Sequence, residues 1–257
     1  MEKNKIYLLD VIEYLNKLEN NSIDLAIIDP PYNLDIDYWD NFSSFEEFLN
    51  FTNTYLNLVY EKLKETGSLY IFNTAYNSVF IFDILKNKLN MNYLNWIIWY
   101  KKDGFSACSK KYVNNQETIL FFTKSKNYTF NCNDIRIPYA STDRINAAQK
   151  NGILKNGKRW FPNPNGKLCT DVWEFPSVRL SNKVNGKTVK QKHPTPKPEL
   201  LIERMIKASS NKGDLVLDLF SGTGTTAVVA KKNDRLFTGC ENNTEYLEFI
   251  NNRLKEN

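Results

Sequence analysis

Histidine is almost missing from this chain: His193 stands alone among 257 residues, which argues against a metal centre built on several imidazoles. Its proline-rich surroundings point to a structural or backbone-contacting role for His193 rather than a general base. Cysteine is sparse too. Cys108, Cys132, Cys169 and Cys240 are scattered with no Cys-x-x-Cys pair, the pattern expected of free, mostly buried thiols in a reducing compartment. No apolar run reaches membrane-spanning length, and the start at Met1-Glu2-Lys3-Asn4-Lys5 lacks the apolar h-region expected of a signal peptide. A cytoplasmic protein with no membrane partner is therefore expected. Internal repeats are absent, and the only compositional bias is towards Asn and Lys. The length suffices for a sizeable core in one main domain.

What is present is uneven charge. The formal net of +5 hides a basic middle. Between Lys101 and Lys197, 19 Lys and Arg face 6 Asp and Glu, a net of +13, whereas the rest of the chain is net −8. A basic segment beside an acidic body is the footprint of a phosphate-binding surface. A solvated basic loop is the plainer reading, but such a loop is poor in aromatics. This one interleaves Tyr112, Tyr128, Tyr139, Trp160, Phe161 and Trp173.

Hydrophobic periodicity predicts alternating elements. Strands are expected at Lys5 to Leu9, Ile23 to Ile28, Ser68 to Phe72, Tyr93 to Tyr100, Thr118 to Thr123, Leu215 to Phe220 and Arg235 to Cys240. Helices are expected at Val11 to Leu18, from Ser44 (with Glu47 as capping box) to Lys64, at Ser78 to Leu89 and at Glu199 to Ser209. Trp96 and Trp99 fall in an apolar strand and read as core. Seven strands with intervening helices predict a doubly wound α/β sheet. From Phe130 to Lys192 periodicity fades among prolines and Asn-Gly pairs, and the stretch is too long for a simple loop. It is expected to be an inserted, irregular recognition region.

Two motifs carry chemistry. The first, Asp29-Pro30-Pro31-Tyr32, ends the apolar run from Ile23 to Ile28. Asp29 precedes a proline and is pushed to extended geometry; the prolines fix two φ angles and remove two donors. The result is a stiff corner with one carboxylate, bare carbonyls and a ring. Such a corner suits an exocyclic amine, whose lone pair is delocalised into its base. Asp29 and the Pro30 carbonyl can take its two N–H bonds and draw the nitrogen towards sp³, while Tyr32 stacks on the ring and positions it. An ordinary Asp-Pro-Pro turn is the alternative.

The second motif follows the strand ending at Phe220: Ser221-Gly222-Thr223-Gly224-Thr225-Thr226, then Ala227 to Ala230. Strand, glycine turn and helix in that order make a nucleotide-like ligand site, with free N–H groups at the helix start. Glu241 ends the next predicted strand and is placed to accept ribose hydroxyls. Ala227 stands where a dinucleotide fingerprint has its third glycine, so a dinucleotide enzyme and a plain strand-to-helix turn both remain alternatives.

Together with His193-Pro194-Thr195-Pro196-Lys197-Pro198, the two motifs resemble those of β-class DNA adenine-N6 methyltransferases, in permuted order with the catalytic motif first. The stretches Gly67 to Asn73, Gln116 to Phe122 and Gly152 to Gly166 resemble the MboII-type enzymes, so the resemblance covers nearly the whole chain. It implies a Rossmann-like, mostly parallel seven-stranded sheet with a catalytic half at 1–128, a target-recognition region at 129–192 and a cofactor half at 193–257. It also implies S-adenosyl-L-methionine as cofactor, double-stranded DNA as substrate, and a flipped adenine in a GAAGA-like asymmetric site. A homodimer is allowed, and a cognate restriction endonuclease is the functional partner. Asp29, Pro30, Pro31 and Tyr32 would be catalytic. Asp10, Asp29, Lys197, Asp218, Phe220, Ser221, Gly222, Thr223, Gly224, Thr225, Thr226, Glu241 and Asn242 would hold the cofactor. The chain departs from the family in carrying Leu9 before Asp10 and Asn242 after Glu241. Candidate DNA contacts are Trp39, Arg144, Lys155, Lys158, Arg159, Arg179 and Lys183, most of them expected on phosphates. A cytosine-N4 methyltransferase and a catalytically silent DNA-binding protein are the alternatives; Asp29, where cytosine enzymes more often carry Ser, favours adenine.

Overall fold

The computed structural model describes residues 1–102, 109–178, 181–184, 187–190 and 196–256, with only the backbone described at 38, 181–184 and 187–190. The readings on Cys108, Arg179 and His193, and on the side chain of Lys183, lie outside those residues.

The chain opens with β1 (Lys5–Leu8), α1 (Val11–Lys17) and β2 (Ile23–Ile28), followed by a single 3-10 turn (Tyr38–Asp40). Next come α2 (Phe45–Lys62), β3 (Leu63–Asn73), α3 (Ala75–Asp83), β4 (Asn92–Tyr100) and β5 (Gln116–Thr123). The middle holds α4 (Thr142–Asn151), β6 (Ile153–Lys155), β7 (Lys158–Trp160), β8 (Val172–Glu174), β9 (Ser181–Val184) and β10 (Lys187–Lys190). The end holds α5 (Glu199–Ser209), β11 (Leu215–Asp218), α6 (Thr225–Lys232), β12 (Leu236–Glu241) and α7 (Thr244–Glu256).

Local chemistry explains the boundaries. The Glu47 amide donates to Ser44 Oγ at 3.1 Å, and the Glu47 carboxylate reaches back one residue further to the Ser43 amide at 2.8 Å. Phe48, Thr52, Tyr55, Leu56 and Val59 then recur at helical spacing on the buried face of α2. That helix ends two residues before the predicted Lys64, because Leu63 turns extended and starts β3. Helix α3 starts three residues before the predicted Ser78, capped by Thr74 Oγ1 on the Asn77 amide, and its bonding widens over Ile84–Lys88.

All seven predicted strands join one sheet, in the order β1-β12-β11-β2-β3-β5-β4-β8. The eighth member, β8, corrects the predicted count. It comes from the stretch read as irregular and pairs in parallel with β4, Trp173 lying beside Trp99. Three residues are too few to show a period, which is why sequence did not reveal it. The same stretch also contains α4 and the β6–β7 hairpin, short pieces separated by the prolines and Asn-Gly turns that hid them.

Only the β3–β5 and β5–β4 pairs of this sheet are antiparallel. Both faces are covered. Val11, Leu15, Tyr55, Val59 and Leu85 pack on Ile28, Leu69 and Leu217, and Leu201, Met205, Ala227 and Ile250 cover Leu25, Ile27 and Val216. Trp99 is core as expected, its indole N–H donating to the Phe175 carbonyl at 2.9 Å, whereas Trp96 is only partly buried. From β2 the chain moves outward to β3; from the adjacent β11 it moves the other way, to β12. That reversal is the topological switch point, where the carboxyl ends of open α/β sheets bind ligands. The Asp29 and Asp218 motifs meet there.

Candidate active site

Strand β2 delivers Asp29 to the switch point, and the chain then folds back on itself. Asn33 and Asp35 adopt left-handed conformations (φ 57 for each), which short polar side chains tolerate. The loop closes around Asp40, which is 1% exposed. Its carboxylate accepts the backbone N–H groups of Tyr32 at 2.5 Å, Asn33 at 2.8 Å, Leu34 at 3.0 Å and Ile36 at 3.4 Å. Asn77, on α3, holds the same residue from the other side, donating to the Tyr32 carbonyl at 2.7 Å. The backbone of Tyr32 is therefore fixed twice.

Its side chain enters an ionic cluster assembled from four places in the sequence. The Tyr32 hydroxyl lies 2.9 Å from Asp29 Oδ1 and 3.0 Å from Glu117 Oε2. Lys197 Nζ donates to Asp29 Oδ2 at 2.5 Å and is 3.7 Å from Glu117 Oε2, and Lys101 pairs with Glu117 Oε1. Two carboxylates thus balance two ammonium groups around one phenol. Burial raises the Tyr32 phenol, and the charges of Asp29 and Glu117 push it further, well above its ordinary value. Burial also opposes charge on Glu117, but Lys197 and Lys101 outweigh it and hold the carboxyl below its ordinary range. For Lys197 burial is likewise outweighed, by Asp29 and then Glu117, and the ammonium is held above its ordinary value.

At the neighbouring strand end the glycine turn is built around Glu241. Its carboxylate accepts the amides of Gly222 at 2.7 Å, Asn242 at 3.0 Å and Asn243 at 2.9 Å. Three of about four acceptor positions are used, leaving one for a hydroxyl of a bound ribose. Gly224 is left-handed (φ 71) and caps α6, and a Cβ there would lie 2.9 Å from Ile250 on α7. Its glycine serves helix packing, while Gly222 faces the cavity. Asp218 is buried beneath the turn; burial, then the charge of Asp29, pushes its carboxyl up to about 7. Asp10 caps α1 by accepting the Ile12 amide at 2.8 Å.

One cavity of about 870 Å³ joins these parts. It brings together Asp10, Asp29, Pro30, Pro31, Tyr32, Trp39, Lys197, Phe220, Gly222, Glu241 and Asn242 from the predicted set. Asp218, Ser221, Thr223, Gly224, Thr225 and Thr226 do not line it; they are buried under the turn and shape it. Its charged lining among the described residues is Asp10, Asp29, Asp40, Glu117 and Glu241 against Lys101 and Lys197. That acidic balance disfavours the pyrophosphate of a dinucleotide and suits a cationic nucleoside such as S-adenosyl-L-methionine. Leu9, Val11 and Phe220 supply apolar wall, the Phe220 ring set edge-on against Tyr55 at 5.6 Å. The residues present fit the group.

Sequence reasoning missed Asp40, Asn77 and Lys101, and met Glu117 only within a matched stretch. A carboxylate at the start of the apolar strand β5 was the available signal. Of the other DNA candidates, the four whose side chains are described stand apart from the cavity. Arg144 is exposed on α4; Lys155 and Lys158 flank the Asn156-Gly157 turn of the exposed β6–β7 hairpin. Arg159 turns back, its guanidinium bonded to the Asn151 carbonyl and its stem packed over Gly152.

Comparison with solved structures defines the class of fold. The PvuII DNA methyltransferase (cytosine-N4-specific) superposes with a TM-score of 0.74 at 16% identity, covering 98% of this chain and 86% of that one. The M1.HpyAVI–SAM complex superposes with a TM-score of 0.61 at 21% identity, covering 97% and 98%. The fold is that of the DNA methyltransferases. The DNA methylase family profile matches residues 23–252, and the Type II methyltransferase M1.MboII of Moraxella bovis is 55% identical over 260 residues, covering the whole of both chains. The chain belongs to the N6/N4 DNA methylase family.

Proposed function

We propose that this DNA methyltransferase transfers a methyl group to N6 of an adenine flipped out of double-stranded DNA, within a short asymmetric, GAAGA-like site. The enzyme is a Type II methyltransferase of a restriction–modification system, and a cognate endonuclease is its functional partner; one catalytic unit serves each target, whether or not the protein dimerises. When bound, S-adenosyl-L-methionine, the methyl donor, supplies an electrophilic methyl group on a sulfonium. Glu241, Asn242, Gly222, Phe220 and Asp10 would hold it, with Lys197 beside Asp29.

The observation that carries the reading is that the Asp29 corner and the Glu241–Gly222 turn line one acidic cavity at the switch point. Asp29 and the Pro30 carbonyl accept the two N–H bonds of the amine, freeing its lone pair, and Tyr32 faces the base. Among the described residues no donor is bonded to the Pro30 carbonyl. The amine proton left over after methyl transfer passes to Asp29 and from there to solvent. Exposed Arg144, Lys155 and Lys158 contact DNA outside the cavity, and flipping costs a few kcal/mol that such contacts offset.

Purified protein incubated with labelled S-adenosyl-L-methionine and unmethylated DNA tests this by nucleoside analysis. N6-methyladenine is expected. N4-methylcytosine would overturn the choice of base, and the absence of any product would favour a silent DNA-binding protein.

A further inference from the structure

The Tyr32 hydroxyl has one proton and two anionic neighbours at nearly equal distance, Asp29 Oδ1 at 2.9 Å and Glu117 Oε2 at 3.0 Å. One proton bonds well to one of them at a time. Asp29 is also the acceptor that the proposed reaction needs, and its other oxygen is taken by Lys197 at 2.5 Å. In this arrangement the protein's own phenol takes the Asp29 oxygen that the target amine would need. We propose that Glu117 is a positioning residue that takes over the Tyr32 hydroxyl when the exocyclic amine of the target base bonds to Asp29. The inference rests on the reading above that Asp29 receives this amine.

The exchange leaves no polar proton without an acceptor. An N–H of the base replaces the phenolic O–H on Asp29 Oδ1, the phenolic O–H turns wholly to Glu117 Oε2, and no covalent bond breaks. Glu117 suits the task because Lys101 and Lys197 keep it ionised and therefore acceptor-only. The backbone of Tyr32, held by Asp40 and Asn77, does not need to move, since the hydroxyl already lies 3.0 Å from Glu117 Oε2 and only its O–H has to turn. A buried phenol without Glu117 would have to keep its bond to Asp29 or give up its partner, and either choice opposes entry of the amine.

Two substitutions and their combination test the exchange, using the methylated site mapped by sequencing. In Glu117→Gln the Lys101 ammonium claims the one remaining oxygen and the NH₂ faces the Tyr32 hydroxyl, so kcat at saturating DNA is expected to fall at least tenfold. Tyr32→Phe removes the competing hydroxyl, so Glu117→Gln in a Tyr32→Phe background is expected to match Tyr32→Phe alone. A protein that merely misfolds on losing Glu117 would not be recovered by deleting the Tyr32 hydroxyl as well. The second readout is binding without cofactor, by fluorescence anisotropy, of duplexes carrying adenine or purine (which lacks the 6-amino group) at the target. Glu117→Gln is expected to reduce the preference for adenine at least fivefold, and Tyr32→Phe to restore it. Losses that multiply in the double variant, or an unchanged adenine preference, would overturn the exchange. N4-methylcytosine as product would instead overturn the choice of base; the same variants, with cytosine against a pyrimidinone, would still decide the exchange.

Discussion

The Asp40 carboxylate holds the Tyr32 amide at 2.5 Å and extends the same grip to the amides of Asn33, Leu34 and Ile36. A buried side chain eight residues downstream thus sets the backbone of the Asp29–Tyr32 corner. Hydrogen bonds to a charged acceptor are the stronger kind, and their loss strands donors away from water.

Asp40→Asn presents an NH₂ where a carboxylate oxygen accepted two amides. Unfolding in urea is expected to show a loss of about 2 kcal/mol. Single-turnover methylation should slow by about tenfold or more, because the corner is misplaced rather than removed. Unchanged turnover would separate the loop's order from catalysis.

Asp29→Ala removes the proposed acceptor for the amine and the nearer partner of Lys197. Methyl transfer is expected to fall below detection in a labelled-donor assay, while DNA affinity in a gel shift stays within a few-fold of wild type. Full activity in this variant would sink the mechanism.

Asp218 supplies a pH signature. Its carboxyl is pushed up by burial from 3.8 to about 7, so the folded state holds this proton longer than the unfolded chain does. Stability from this group is present below pH ~4 and is lost as pH rises through about 7. Asp218→Asn carries no such penalty and should gain on wild type between pH 4 and 7, by as much as ~4 kcal/mol. Chemical denaturation at a series of pH values reads the difference; a gap that narrows as pH rises would contradict the assignment.

Lys155 and Lys158 project from an exposed hairpin, joined by a turn in which Asn156 and Gly157 both have positive φ. Replacing both by Ala should weaken binding to all duplexes alike and reduce the slope of log K against log salt by about 2. Turnover at saturating DNA should be unaffected. Arg159→Ala should instead cost stability, since its guanidinium closes the end of α4.

Much of this was legible from residues alone, for identifiable reasons. Seven strands announced themselves through apolar patterning, nearly continuous where both faces are buried, as at residues 25–28. The three-residue β8 did not, and neither did the short pieces around it. Gly222 and Gly224 look equivalent in sequence, yet one faces the cavity and the other makes room for Ile250. Glu117 reads as one charge at the start of an apolar strand; its importance comes from Lys101, Lys197 and Tyr32, none adjacent to it in the chain.

The sequence by itself determined seven strands of the sheet, the stiff Asp29-Pro30-Pro31-Tyr32 corner and the glycine turn, because strand burial, proline geometry and turn chemistry are local properties. Only the tertiary structure decided what the corner touches. The Asp40 clasp, the balanced charges around Tyr32 and the acidic lining depend on distances between residues far apart in the chain, Lys197 lying 168 positions from Asp29. Electrostatic interactions depend on separation in space and on burial, and neither is written along the chain.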